Sequence, residues 1–328
     1  MQLLAGDIGG TNSRLAIYRT GPDAGLELVT EKDFASAEFD GLEAIIAEFL
    51  QQSGAEVERA AFGVPGPVRD GQCTTTKFRW QLSAKSINAR FGFAATHLLN
   101  DLEANAWGID RLKDEQIVLL QAGDPDAQGN RSIVSAGTGL GEAGLFWDGR
   151  QHIPFATEGG HSDFSPSTPL EFALFEHLTK QHGHVSWERL VCGPGLETIH
   201  DFLRQHRKAP APAWLEQVMR EQGSAAAISN AALTKQDEIC DQALDLFVRL
   251  YGREVGNHAL KIMATGGVYL GGGIAPKLID RLRQGAFIEA FLDKGRMQEL
   301  MASMPVRIIL NQRTALLGVA HFAATMPL

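Results

Sequence analysis

Three times in this chain an apolar run stops abruptly on a cluster of glycines. Leu3-Leu4-Ala5 runs into Gly6-Asp7-Ile8-Gly9-Gly10-Thr11-Asn12, Ile133-Val134-Ser135 into Gly137-Thr138-Gly139-Leu140-Gly141, and Val268-Tyr269-Leu270 into Gly271-Gly272-Gly273-Ile274. Short apolar runs bounded in this way read as buried strands followed by tight turns. Glycine at such a junction lets backbone amides approach an anion and form a concavity around it. One loop of this kind needs no ligand, because turns use glycine for conformation alone; three after three strands are harder to dismiss. The first also carries an acid at its strand end, Asp7, suited to holding Mg2+ through water, with Thr11 and Asn12 as phosphate donors.

Between the loops the pattern is that of an α/β protein. Leu15 to Tyr18 read as a strand returning from the first loop. Leu42, Ile45, Ile46, Phe49 and Leu50 give an amphipathic helix with Asp40 as its expected cap and Gly54 as its stop. Ala60 to Val64 read as a strand broken by Pro65-Gly66-Pro67, and Ser83 caps a helix through Ile87 and Phe91. The strand His97-Leu98-Leu99 ends on Asn100-Asp101, where α/β sheets place their chemistry. From about Leu170 to Ile262 the pattern is mostly helical. The uncharged run from Thr314 to Leu328 is too short to span a bilayer and reads as a buried terminal helix. At 328 residues the chain exceeds what one core serves, so two domains with a ligand cleft between them are expected.

Two familiar glycine motifs are excluded. Gly139 to Gly144 match Gly-x-Gly-x-x-Gly literally, but Leu145 to Gly149 read as a strand and a turn where the dinucleotide fold demands a helix. No Gly-x-x-x-x-Gly-Lys-Ser/Thr segment exists, so a P-loop is ruled out. Glycine hairpins from two domains around one nucleotide remain. A formal net charge of -9 with no basic cluster argues against nucleic acid and anionic membranes as partners. Cys73, Cys192 and Cys240 lack metal or disulfide spacing, and with no signal peptide in view a cytoplasmic location is expected.

The whole chain resembles the bacterial glucokinases, members of the sugar kinase, actin and heat-shock chaperone superfamily. The likeness runs through Asp7-Ile8-Gly9-Gly10-Thr11-Asn12-Ser13-Arg14, Asn100-Asp101, Ala136 to Gly141, Glu158-Gly159-Gly160-His161, Glu188 to Gly195 and Gly271 to Pro276. The resemblance implies a two-domain, actin-like (ribonuclease H-like) α/β fold: a small domain of residues 1–110 completed by 312–328, and a large domain of 111–311. It implies transfer of phosphate from Mg-ATP to the 6-hydroxyl of glucose, and a homodimer. It places the sugar ligands at Asn100, Asp101, Glu158, His161 and Glu188. The nucleotide falls to Asp7, Gly9, Gly10, Thr11, Asn12, Arg14, Gly137, Thr138, Gly139, Gly272 and Gly273.

Each of the five sugar candidates also has an ordinary structural role open to it: Asp101 as a helix cap, Glu158 as loop solvation, His161 as a satisfied core residue, Glu188 as an exposed helix face. Asp101 fits the general base that orients the attacking hydroxyl and accepts its proton. Glu158 and Glu188 fit non-reacting hydroxyls, since a carboxylate beside the transferring group would repel its oxygens. Lys77 departs from the Asn that many family members carry, which touches sugar preference. Two other readings remain open: a sugar- and nucleotide-binding sensor with weak or no catalysis, and an actin-like or chaperone-like ATPase, which would lack the five sugar residues.

Overall fold

The computed structural model describes residues 1–21, 25–75 and 78–326. Lys77 lies outside them. The chain divides into two compact units: Met1–Gln116 with Ile153–Ala156 and Asn311–Leu328, and Ile117–His152 with Thr157–Leu310.

The first unit is built on strands β1 (Gln2–Ile8), β2 (Asn12–Thr20), β3 (Leu26–Ala35), β4 (Arg59–Val64) and β7 (Ala95–Asn100), in the order β3-β2-β1-β4-β7. A separate ribbon pairs β5 (Gln72–Thr74) with β6 (Gln81–Ser83). Strand β1 runs antiparallel to β2 and parallel to β4, with Asp7 opposite Arg14 and Gly63. Its near-continuous apolar run follows from burial on both faces. Leu4 and Ile8 pack with Ile45, Ile46 and Phe49 of the helix Leu42–Ser53. Leu3 and Ala5 pack with Leu316, Val319 and Ala320 of the helix Thr314–Thr325. Gly54 ends the helix Leu42–Ser53 in the left-handed conformation, φ 62°, as its position suggested. The cap differs from expectation: Gly41, not Asp40, holds that place and makes no side-chain hydrogen bond. The helix starts one residue later than Asp40 could serve, and glycine costs little there.

The helix Asp101–Gly108 is seated by backbone contact with the terminal helix. A Cβ at Gly318 would overlap the carbonyl oxygen of Ala104, and one at Gly108 would overlap that of Thr314. From the sheet side, a Cβ at Gly63 would stand 2.9 Å from that of Ala104. Three missing side chains thus let a helix, a second helix and a strand close on one another.

The second unit repeats the theme of a hairpin flanked by parallel strands. Its sheet runs β10 (Leu140–Trp147), β9 (Arg131–Ala136), β12 (Gly267–Gly271), β13 (Val306–Ile309), β8 (Ile117–Gln121). Strands β9 and β10 are antiparallel, and β12 is parallel to both β9 and β13. The strand β11 (His152–Ala156) has its last four residues grouped with the first unit. Val134, Val268, Leu270, Val306 and Ile308 form one core with Leu244, Phe247 and Tyr251 of the helix Glu238–Ile262. Every residue of β12 is buried.

The seat of the Asp101 helix can be tested by Gly318→Ala. Helix propensity alone would make this change stabilising by about 1 kcal/mol. The new methyl group instead meets backbone, which cannot rotate away, so we expect a net loss of about 1–3 kcal/mol. Denaturant unfolding of the two proteins measures the difference; an unchanged or raised midpoint would show that the helices do not cross at this glycine.

Candidate active site

In the first unit, the glycine loop after β1 is held closed by its own backbone. The Gly9 N–H donates to the Asn12 carbonyl at 3.0 Å, and a Cβ at Gly9 would lie 2.6 Å from that oxygen. Ser36 secures the loop from the end of β3: its hydroxyl donates to the Gly9 carbonyl at 2.8 Å and its N–H to the Thr11 carbonyl at 2.9 Å. The Thr11 and Asn12 side chains stand exposed at the tip. Burial pushes the Asp7 carboxyl up, while Arg14 pulls it down and Asp33 opposes Arg14. Arg14 itself is engaged by Asp33, with Nε and Nη2 donating to its two carboxylate oxygens at 2.5 and 3.0 Å. Asp33 is a residue that sequence reading missed. It sits on β3 directly across from Arg14, a pairing visible only once the register is known.

Asn100 and Asp101 stand side by side where β7 gives way to a helix. Asn100 is the N-cap, its Oδ1 accepting from the N–H groups of Leu102 at 2.9 Å and Glu103 at 3.4 Å. Its amide nitrogen donates to the Gly66 carbonyl at 3.4 Å. Asp101 is the first helical residue, and its Oδ1 also accepts from Leu102 N at 2.9 Å. The capping duty open to Asp101 in the sequence therefore falls to Asn100. A carboxylate in the first turn is favoured by the positive end of the helix dipole. The Asp101 charge, together with burial, raises the nearby Cys73 thiol, burial being the larger cause.

In the second unit, Glu158, His161 and Glu188 come together. Glu158 precedes the short 3-10 turn Gly159–His161, and Glu188 lies in another, Trp187–Arg189. His161 stands between the carboxylates, Nδ1 3.7 Å from Glu188 Oε1 and Nε2 4.0 Å from Glu158 Oε2. The other Glu188 oxygen accepts from Leu140 N at 3.0 Å, tying it to the second glycine loop, where Gly139 leaves room for it. His161 and Glu188 line a cavity of about 510 Å³ with Thr138, Ser186 and Cys192. His161 is exposed rather than a core residue, and Glu188 is half-buried on a turn rather than on an open helix face.

The second and third glycine loops adjoin. Gly137 N donates to the Gly139 carbonyl at 2.9 Å, and Ile274 N to the Ala136 carbonyl at 3.3 Å. Gly272 takes a φ of 79° beside Ala136, whose carbonyl a Cβ there would overlap. Apart from the glycine itself and its chain neighbours, no described atom lies within 4 Å of where a Cβ would stand at Gly137 or Gly273. Their backbones are open to close approach by a ligand. Trp80 and Trp187 are packed into the cores, and His182 ends a helix before Gly183.

The sequence matches the glucokinase family over residues 4–326. It is 37% identical to the glucokinase of Nostoc punctiforme over 338 aligned residues, covering 99% of each chain. Among solved structures, a glucokinase from an Antarctic psychrotroph superposes with a TM-score of 0.86 at 30% identity, covering 99% of both chains. A ROK family glucokinase from Streptomyces griseus, solved in complex with glucose and AMPPNP, gives a TM-score of 0.65 at 19% identity, over 99% of this chain and 100% of the other. The last likeness speaks for the fold.

One buried cluster corresponds to no motif in the sequence. Beneath the Gly159 turn, Glu142 of β10 is buried with Glu254 and His258 of the helix Glu238–Ile262. His258 Nε2 donates to the Ala143 carbonyl at 3.1 Å, which turns Nδ1 toward Glu142 Oε2 at 3.2 Å. Glu254 Oε2 accepts from Asn257 at 2.9 Å. Burial first, and the Glu142 carboxylate second, push the Glu254 carboxyl up to about 8. Nothing local in the sequence joins residues so far apart along the chain.

With its folded value raised from the ordinary 4.5 to about 8, Glu254 binds its proton more tightly in the native state. The stability this confers is fully present below about pH 4.5 and is lost as pH climbs to about 8. Lys294, lowered to about 8 chiefly by burial, responds only above that window. Glu254→Gln should therefore gain on the parent progressively between about pH 5 and pH 8 in denaturant unfolding. A difference that stays flat over that range would mean that Glu254 is ionised in the fold.

Proposed function

The chain belongs to the glucokinase family and phosphorylates glucose; we propose that it transfers the γ-phosphoryl group of Mg-ATP to the sugar's 6-hydroxyl, with Asp101 as general base. In this reading Asp101 takes the hydroxyl proton as the oxygen attacks phosphorus, the bond from phosphorus to the bridging oxygen breaks, and the electron pair leaves on ADP. Asn100, Glu158, His161 and Glu188 hold the remaining ring hydroxyls, His161 as a binding group and not a base. The observation that carries the assignment is the division of labour at the end of β7. Asn100 takes the N-cap position and accepts from both Leu102 and Glu103, so the neighbouring carboxylate need not be there for the helix.

The phosphates fall to the glycine loops, where Gly9, Gly10, Thr11 and Asn12, Gly137, Thr138 and Gly139, and Gly272 and Gly273 offer backbone and short polar groups in place of lysines. The open backbone at Gly137 and Gly273 supports this. Arg14, held by Asp33, acts through its charge beside Asp7. Among the described residues no group of three or more His, Cys, Asp or Glu side chains is arranged to hold a metal ion. Asp7 alone at a strand end fits Mg2+ bound through its water shell, and the ion would neutralise phosphate charge. A cytoplasmic homodimer without nucleic-acid or membrane partners completes the proposal. Three buried free cysteines support the reducing compartment, and no helix of the described residues is long and apolar enough to cross a membrane.

Asp101→Asn separates catalysis from structure, because Asn keeps the oxygen that accepts from Leu102 N and loses only the proton acceptor. Turnover of glucose should fall by about two to four orders of magnitude, with glucose binding by calorimetry changed far less. Glu158→Gln should instead chiefly raise the Michaelis constant for glucose. Turnover of a folded Asp101→Asn protein within a few-fold of the parent would remove Asp101 from the role.

A further inference from the structure

We propose that Glu142 is a positioning residue for glucose, its carboxylate forming the floor on which the turn Gly159–His161 rests. The proposal builds on the reading that Glu158 and His161 hold the sugar. Both side chains are more than half exposed, at 64% and 61%. Their own packing therefore does little to fix them, and their placement is inherited from the backbone beneath.

That backbone is fixed on two sides. A Cβ at Gly160 would overlap the Leu140 carbonyl, so this residue lies flat against β10; a Cβ at Gly159 would overlap Glu142 Oε2. Thr157 stitches the two together, its hydroxyl donating to the Glu142 carbonyl at 2.9 Å and accepting from Gly159 N at 3.2 Å. The turn then closes on itself, with His161 N donating to the Glu158 carbonyl at 3.1 Å and Ser162 N to that of Gly159 at 2.9 Å. Glu142 thus meets the turn directly from below at Gly159.

A carboxylate is an expensive choice for a floor. Glu142 is 1% exposed, and it faces His258 Nδ1, 3.2 Å from its Oε2, and the Glu254 carboxyl. A leucine of similar size would avoid that desolvation. A leucine, however, could make no polar contact. His258, with its ring oriented by the Ala143 carbonyl, faces the carboxylate from the helix Glu238–Ile262. The long helix at the centre of the second unit is in this way connected through one polar contact to the turn that carries two sugar ligands.

A double-mutant cycle read in kinetic constants tests the contact. Gly159→Ala pushes a methyl group into the carboxylate, and Glu142→Ala removes the floor. Each alone should raise the glucose KM by about tenfold or more, with kcat and the ATP KM within a few-fold, as expected when ground-state binding is lost. Combined, the two should partly cancel, because the methyl group added at position 159 enters the space the carboxylate left, giving a glucose KM below that of Gly159→Ala alone. Glu142→Gln, which keeps the volume, should stay within a few-fold of the parent. Where Glu142→Ala does not fold, Glu142→Ser takes its place in the cycle. Strictly multiplicative effects, or a lowered melting temperature with an unmoved glucose KM, would overturn the proposal. Glu158→Gln is measured alongside: raised glucose KM there with none in Glu142→Ala overturns the floor alone, whereas no change in Glu158→Gln overturns the sugar assignment and the floor with it.

Discussion

The contact on which the candidate chemistry of the first unit depends is one between backbones. Ala104 is approached by Gly318 from the terminal helix and by Gly63 from β4, and Gly108 meets the Thr314 carbonyl. These approaches set the depth at which the helix Asp101–Gly108 sits on the sheet, and hence where its first residue projects. Because backbone cannot change rotamer, such a seat is stiffer than one made of side chains. The second unit uses the same device, with Gly160 against Leu140, Gly272 against Ala136 and Gly195 against Leu190. Glycine in this protein therefore serves two ends: it leaves loop backbone open at Gly137 and Gly273 and it brings secondary elements close enough to aim their terminal residues.

This dual use explains what could be read in the sequence. The strands that lead into glycine clusters, the Gly54 stop, the Ser83 cap and the terminal helix are all specified within a few residues, and all are found. Asn100 and Asp101 were visible as a polar pair at a strand end for the same reason. Which of the two caps the helix was not visible, since aspartate and asparagine are near-equal caps and the choice turns on a one-residue difference in where the helix begins. The partner of Arg14 and the Glu142, Glu254 and His258 cluster were beyond reach for a stronger reason. Asp33 meets Arg14 only through the β2 and β3 register, which shifts between Ile17 and Tyr18. His258 meets Glu142 only because a 25-residue helix crosses beneath β10. Local patterns carry no information about such crossings.

The electrostatics of the two ligand types differ, and the fold separates the means by which each is met. A neutral sugar suits paired acceptors, which in the proposed reading Glu158 and Glu188 supply with His161 between them. A triphosphate is repelled by carboxylates, and the protein as a whole carries a formal charge of -9. The arginine that follows the first glycine loop, Arg14, is already engaged by Asp33. In the proposed reading, attraction for phosphate comes chiefly from oriented amides of the glycine turns and from a cation bound together with the nucleotide. In the proposed reading, that division makes nucleotide affinity sensitive to backbone geometry at Gly9, Gly137 and Gly273, and sugar affinity sensitive to the supports beneath the Gly159 turn.

Burial is the common cost in both arrangements, and it falls on groups that do not contact ligand in the proposed reading. Glu254 and Lys294 are moved toward neutrality by it, one upward and one downward to about 8. Cys73, Cys192 and Cys240 are all raised, burial leading in each case. A thiol so placed stays protonated and is a poor nucleophile, so Cys73 can lie near Asp101 and Cys192 near Glu188 without competing for chemistry. The two carboxylates beside those thiols are partly exposed, Asp101 at a helix start and Glu188 on a turn. Asp101 and Glu158, both assigned to glucose in the proposed reading, thus combine exposure with neighbouring backbone held by close glycine contacts.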